Sequence, residues 1–315
     1  MSPGRAGRQE GPPLPPVPVL VVAVLAMSWA GPLVRFTAAP AEAVAAWRLA
    51  LSVGLIAILV AARPTARRAL RELRGQAVLA VVAGVLLAAH FWSWIASLRL
   101  TTVSSSVVLV STQPLFVAGL AAVFLGERPG RRGWTGIVVA IGGAALIGWG
   151  DFRVGGRALA GDALAVAGAM FAAGYYVIGR RLRVGVDLWA YTLVVYGVAA
   201  VVLMGVVVIG PAPATGYAGG DWLVFAALAA GPMMLGHTGV NYALRYLPAY
   251  LANLVLVGEP VGATAIAWLL PAIGEAPGGR TLAGAALILT GIAVGASRHG
   301  VGAKGHGKEA GNGSS

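Results

Sequence analysis

Apolar residues gather into ten runs separated by short polar turns, at about 17–36, 41–62, 76–98, 102–125, 132–149, 159–179, 187–210, 221–244, 248–270 and 281–298. Each approaches the roughly 20 residues that a helix rising 1.5 Å per residue needs to cross a hydrocarbon core of about 30 Å. The pattern predicts an all-α polytopic membrane protein with ten transmembrane helices. One position breaks it. Near the middle of the ninth run stands a carboxylate, Glu259, followed by Pro260. An ionisable group at that depth costs about 2.5 kcal/mol or more on insertion scales and points to function. The proline deprives a carbonyl one turn earlier of its donor, which lipid tolerates only where neighbours or a wet cavity satisfy it. The expectation is a helix lining a cavity.

Composition sharpens this reading. The 315 residues are 58% hydrophobic and 11% charged, with a mean hydropathy of +0.82, far from soluble averages. The net charge of +12 would suit nucleic acid if the basic residues formed one face. They lie instead in clusters between apolar runs, so no nucleic-acid partner is expected. With no cysteine in the chain, disulfides, thiol nucleophiles and thiolate metal sites are excluded. Arg5, Arg8, the apolar run from Val17 and AAPAEA at 38–43 imitate a secretory signal. The run is too long for one and is read as the first spanning helix.

Alternate loops carry unequal charge. Arg5, Arg8, Arg63, Arg67, Arg68, Arg71, Arg74, Arg128, Arg131, Arg132, Arg180, Arg181, Arg183, Arg245, Arg298, Lys304 and Lys308 fall on one side, and Arg35, Arg99, Arg153, Arg157 and Arg280 on the other. An excess of 17 to 5 predicts both termini in the cytoplasm.

The chain also repeats. GERPGRR at 126–132 matches GEAPGGR at 274–280, and Gly136 and Gly143 match Gly284 and Gly291. Leu98, Arg99 and Pro114 match Leu244, Arg245 and Pro260, and AMSWAG at 26–31 matches AMFAAG at 169–174. Five helices per unit is an odd number, so the second copy is inverted across the membrane relative to the first. That arrangement belongs to carriers that bind substrate near the midplane between rocking halves. The predicted organisation is a disordered N-terminus (1–16), repeat 1 (17–150), inverted repeat 2 (151–298) and a disordered tail (299–315). Metal binding by the two histidines of that tail is a lesser reading beside plain solvation.

The stretch STQPLFVAGLAAVFLGERPGRRGWTGIVVAIGG, its echo around NLVLVGEPVGATAIAWLLPAIGEAPGGR, and Arg48 in AWRLAL resemble the drug/metabolite transporter superfamily, EamA type, over about 17–298. The resemblance implies a ten-helix inverted-repeat carrier, usually an inner-membrane exporter of amino acids, related metabolites or drugs, without a cofactor. A bacterial plasma membrane is the implied home. The second copy departs from the first in having two extra residues between its proline and glutamate, including Pro271. The outer end of the ninth helix is therefore expected to bend or unwind early.

Eight residues are candidates for the substrate pathway. Glu259 can bind an amine or cation, carry a coupling proton, or simply bond to backbone freed by Pro260; its repeat counterpart is Gln113, expected to face it near the midplane. His90 and His237 occupy nearly equivalent places and either sense protons or pack. Asn241 follows His237 by one turn and could share its polar lining. Asn253, six residues before Glu259, does not share that residue's helical face. Trp94 and Tyr176 lie deeper than the aromatic residues of an interfacial belt and could contact substrate. Arg48 could meet a substrate carboxylate or balance Glu259, against the alternative of snorkelling or a structural ion pair. No HExxH, GxSG or paired-aspartate motif is present, so enzyme chemistry has no constellation to carry it. The glycine-rich fifth and tenth helices lack a GK[ST] signature and are read as close packing rather than nucleotide binding. The function expected is a secondary active exporter of a small amphiphilic metabolite, with an uncoupled facilitator or pore as the alternative. Partners are the small-molecule substrate, a coupling proton and the bilayer.

Overall fold

A chain segment in lipid must satisfy its backbone internally, and the computed structural model accordingly contains helices and no strand among the described residues, which are 12–101, 103–148, 156–271 and 276–297. Pass 1 is α1 (Pro16–Met27) and α2 (Ala30–Val34), pass 2 is α3 (Ala41–Ala62), and a short α4 (Pro64–Glu72) precedes pass 3, α5 (Ala77–Leu100). Pass 4 is α6 (Val103–Val110) and α7 (Gln113–Phe124), and pass 5 is α8 (Arg131–Gly148). Pass 6 is α9 (Gly156–Arg183) and pass 7 α10 (Leu188–Ile209). Pass 8 joins α11 (Gly219–Leu228), a π-helical segment (Ala229–His237) and α12 (Thr238–Ala243). Pass 9 is α13 (Ala249–Leu256) and α14 (Glu259–Leu269), and pass 10 is α15 (Gly279–Ala296).

Eight of these stretches are long and apolar enough to cross a membrane on their own; pass 4 is shorter, and pass 5 opens on Arg131 and Arg132. Passes 4 and 9 break at matching points. Both α7 and α14 have proline in their first turn, at Pro114 and Pro260. A proline there cannot donate to the preceding turn and pushes its carbonyl aside, so each pass restarts at mid-depth. Ser28 Oγ from pass 1 donates to the carbonyls of Glu259 at 3.2 Å and Val24 at 2.8 Å, tying pass 1 to the start of α14 beside the break. Further on, α14 ends at Leu269, and Leu270 takes an extended conformation before Pro271, as residues preceding proline tend to.

Contacts between passes obey one exchange rule, in which passes 1 to 5 swap with passes 6 to 10. Pass 3 packs on pass 6, and pass 8 on pass 1; pass 4 packs on pass 6, and pass 9 on pass 1; passes 2 and 7 pack on each other. Passes 5 and 10 form the tightest seam. A Cβ added at Gly136 would lie 2.6 Å from the Gly291 carbonyl, and one at Gly143 would lie 2.6 Å from the Gly284 carbonyl. The contact runs forward along α8 and backward along α15, as an in-plane two-fold axis between oppositely oriented copies demands.

Two local features depart from the apolar pattern. Residues 63–75 appear in the sequence as a charged turn, yet α4 forms there. Pro64 suits its first turn, while Ala66, Leu70 and Leu73 turn inward and Arg67, Arg71 and Arg74 outward, each set at the 3–4 spacing of an amphipathic helix. The expected disorder of 1–16 falls mostly outside the described residues, as do the loop at 149–155, the segment 272–275 with Glu275, and the tail from 298. Leu14 is described, and its backbone N–H and C=O both bond to the Tyr242 hydroxyl, at 2.9 and 2.7 Å.

Candidate functional site

A cavity of about 80 Å³ lies between the repeats and takes in the breaks of passes 4 and 9. At roughly 10–15 Å³ per water on this measure, it has room for several waters. Seven of the eight candidate residues line it: Arg48, His90, Trp94, Gln113, Tyr176, His237 and Glu259. The proline breaks explain why polar groups collect here. Gln113 and Glu259 are the first residues of α7 and α14, so each sits where a half-helix presents its positive end.

Arg48 is 1% exposed on α3. Its Nη2 lies 3.0 Å from the Met233 sulfur, its Cζ stands 4.2 Å from the Phe91 ring centroid, and its Nε has no hydrogen-bond partner. A thioether and an aromatic face are weak company for a buried cation. Glu259 lines the same cavity, yet it forms no ion pair with Arg48.

His90 Nδ1 is 2.9 Å from the Gly168 carbonyl; since a carbonyl only accepts, Nδ1 carries the hydrogen. The imidazole is nearly parallel to Trp94, with centroids 6.5 Å apart and 6° between planes. His237 closes the π-helical segment, its Nδ1 3.3 Å from the Tyr176 hydroxyl and its ring edge-on to Phe91. That segment contains Pro232, and Thr238 Oγ1 donates to the Met233 carbonyl within it at 3.1 Å. Such wide turns occur frequently at functional sites.

Asn241 lies outside the lining, contrary to the sequence expectation. Its amide nitrogen donates to Tyr175 Oη at 2.5 Å and to the His237 carbonyl at 2.8 Å, with Tyr196 Oη at 3.3 Å. It belongs to a buried polar knot behind the wall. Conversely, Asn253 does line the cavity. Its carboxamide oxygen accepts from Gln113 Nε2, joining the two broken passes, and its nitrogen donates to the Ala249 carbonyl at 2.9 Å. The expectation that it faces away from Glu259 assumed one continuous helix. Pass 9 breaks between the two residues, so six residues no longer mean 600° of rotation. Phe91, another unforeseen contributor, gives no polar signal in sequence.

The end of the bundle that carries the arginine clusters is cross-linked between the repeats. Gly126, at φ +69°, turns the chain sharply after α7 in a conformation glycine adopts at no steric cost, and this presents Glu127 to the other repeat. One carboxylate oxygen accepts from Arg180 Nε at 2.6 Å and the other from the Ala249 N–H at 2.9 Å. Arg180 Nη1 also donates to the carbonyls of Leu244 and Arg245 at 2.8 and 3.0 Å. One glutamate of repeat 1 therefore holds passes 6 and 9 of repeat 2, and Arg180 ties pass 6 to the end of pass 8. Toward the opposite end, α6 packs on α5, α8 and α9, whereas α14 packs on α1, α2 and α15. The halves of passes 4 and 9 that lie beyond the breaks thus take different neighbours.

The family model described as the EamA-like transporter family matches residues 15–149 and 159–295, one match in each half. A solved structure described only as a crystal structure of a protein is similar with a TM-score of 0.76, covering 89% of this chain and 95% of its own at 20% identity, a likeness of fold. No curated protein matches the sequence.

Proposed function

Because the chain belongs to the EamA-like transporter family, we propose that this multi-pass membrane protein is a secondary active carrier that exports a small amphiphilic metabolite, an amino acid or related compound, by alternating access. The observation that carries the reading is a guanidinium and a carboxylate, Arg48 and Glu259, on the wall of one cavity and not paired with each other. An unpaired buried charge costs several kcal/mol, a cost that a substrate carboxylate at Arg48 would offset. A substrate ammonium or a coupling proton would meet Glu259. Phe91, Trp94 and Tyr176 supply apolar and aromatic surface between them, which suits a zwitterion with a hydrophobic side.

Alternating access requires one end closed while the other opens. The Glu127–Arg180–Ala249 contacts close the arginine-rich end, and the differing neighbours of α6 and α14 favour opening at the other. The charge asymmetry of the loops supports a cytoplasmic arginine-rich end and cytoplasmic termini, and the family resemblance supports a bacterial inner membrane.

Counterflow in proteoliposomes tests the reading. Preloading with an amino acid that is a substrate should accelerate uptake of the labelled compound. Flux of the same solutes that neither saturates nor responds to preloading would replace the carrier with an uncoupled pore. Candidate substrates come from comparing metabolites outside cells with and without the protein.

A further inference from the structure

The amphipathic α4 has no part in the cavity. Its inward face, Ala66 and Leu70 continued by Leu73, packs into the bundle, and α4 rests on α3 and α10. Its outward residues Arg67, Arg68 and Arg71 are exposed, as are Arg63 before it and Arg74 after it. Residues 63–74 contain one acid, Glu72, against these five arginines. Among the described residues none of the five is in an ion pair. Topology alone would require only that basic residues lie on this side, and a disordered loop would serve as well. Here they are ordered into a row fixed against the protein.

The depth of the row is marked by Trp189 in the first turn of α10, over whose ring Arg63 Cζ stands at 5.1 Å. Tryptophan at the end of a spanning helix sits at headgroup level. Immediately deeper, one to two turns along α3 and α5, the surface is bare and apolar: Ile58 is 68% exposed and Val78 77%, with Leu55 and Val82 beyond them. At 1.5 Å per residue Ile58 lies about 7 Å below Arg63 along α3, and Val78 stands in the first turn of α5, just past the 3-10 turn (Leu73–Gln76) that holds Arg74. Cations at phosphate level above an open hydrocarbon wall are complementary to a molecule with an anionic head and acyl tails.

We propose that α4 is a docking site for anionic phospholipid, its arginine row holding the phosphodiester headgroups and the exposed wall of α3 and α5 holding the acyl chains. Arginine suits this role because its planar fork bonds two phosphate oxygens at once. The site stands independently of the transport reading, requiring only that the chain spans a membrane.

The test titrates the full-length protein in detergent with dioleoylphosphatidylglycerol, following bound lipid by native mass spectrometry and the melting temperature in parallel. The lipid should bind and raise the melting temperature, more at low salt than at high. At about 1 kcal/mol per basic side chain near a membrane surface, the combined Arg67→Gln, Arg71→Gln, Arg74→Gln variant should bind about 100-fold more weakly, and the corresponding lysine variant should keep most of the affinity. If the triple variant does not fold, Arg71→Gln alone should weaken binding about 5-fold. Undiminished binding by the glutamine variants would overturn the proposal. So would an equal stabilisation by phosphatidylcholine, which lacks net charge, or by inorganic phosphate, which lacks tails.

Discussion

Replacing Glu127 by glutamine probes the proposed closure of the arginine-rich end most directly. The carboxylate now accepts from two donors, Arg180 Nε at 2.6 Å and the Ala249 N–H at 2.9 Å. Glutamine keeps one oxygen, so it can accept from one of them while turning an NH2 group toward the other. The side chains of Arg180 and Glu127 are 19% and 18% exposed, which shelters the pair from the screening that makes surface ion pairs nearly worthless. A hydrogen bond to a charged group contributes about 1.5–3 kcal/mol. Losing one shifts the balance between closed and open ends by roughly 10- to 150-fold, if the open end gains nothing in exchange. The chain lacks cysteine, so a single cysteine at Leu256 on the cavity wall reports access without background. In the Glu127→Gln background, a membrane-impermeant thiol reagent applied at the arginine-rich side should label it at least 10-fold faster than in the native background. Labelling from the opposite side should slow. Exchanging the charges, with Glu127→Arg and Arg180→Glu together, should restore closure only in part, because the Ala249 N–H would still lack its acceptor. Unchanged labelling from both sides, in protein that melts normally, would refute a locking role for Glu127.

Glu259→Gln should abolish uptake driven by a pH gradient while leaving substrate exchange largely intact; an unaltered pH dependence would remove Glu259 as the coupling group. Arg48→Met should leave the melting temperature equal or higher, since it replaces an unpaired buried charge with a hydrophobe of similar length, and should eliminate transport of carboxylate-bearing solutes. A variant that melts lower and still transports them would contradict the role given to Arg48. Gly143→Val drives side-chain carbon into the Gly284 carbonyl, where even a Cβ would lie at 2.6 Å, and should destabilise by about 1–3 kcal/mol, read as a lower melting temperature. Single cysteines at Arg68 and Arg131 should label only from the cytoplasmic side, and labelling of both from outside would invert the topology.

The ten passes were legible because lipid leaves an apolar run little choice of backbone, and the breaks in passes 4 and 9 because Pro114 and Pro260 recur at one offset. The same offset brought Gln113 and Glu259 to a common cavity. Errors arose where one-dimensional arithmetic assumed regular geometry or a single purpose for a residue. Asn253 was turned away from Glu259 by counting through a helix that in fact stops between them. Asn241 was placed with His237 by the i+4 rule, yet its amide is drawn into bonds with Tyr175 and the His237 backbone. The arginines of α4 and Arg180 read as topology signals, which hid an ordered amphipathic surface in the first case and the partner of Glu127 in the second. Phe91 carries no polarity by which to find it, although its ring is the surface on which Arg48 rests.

The glycine seam between α8 and α15 has a mechanical implication. Where two backbones touch at their glycines, neither can slide without steric collision, so in the proposed alternating-access cycle passes 5 and 10 would serve as a shared fulcrum. Motion in that cycle would be left to the broken passes around it, and each repeat would swing like one arm of a lever without parting from the other.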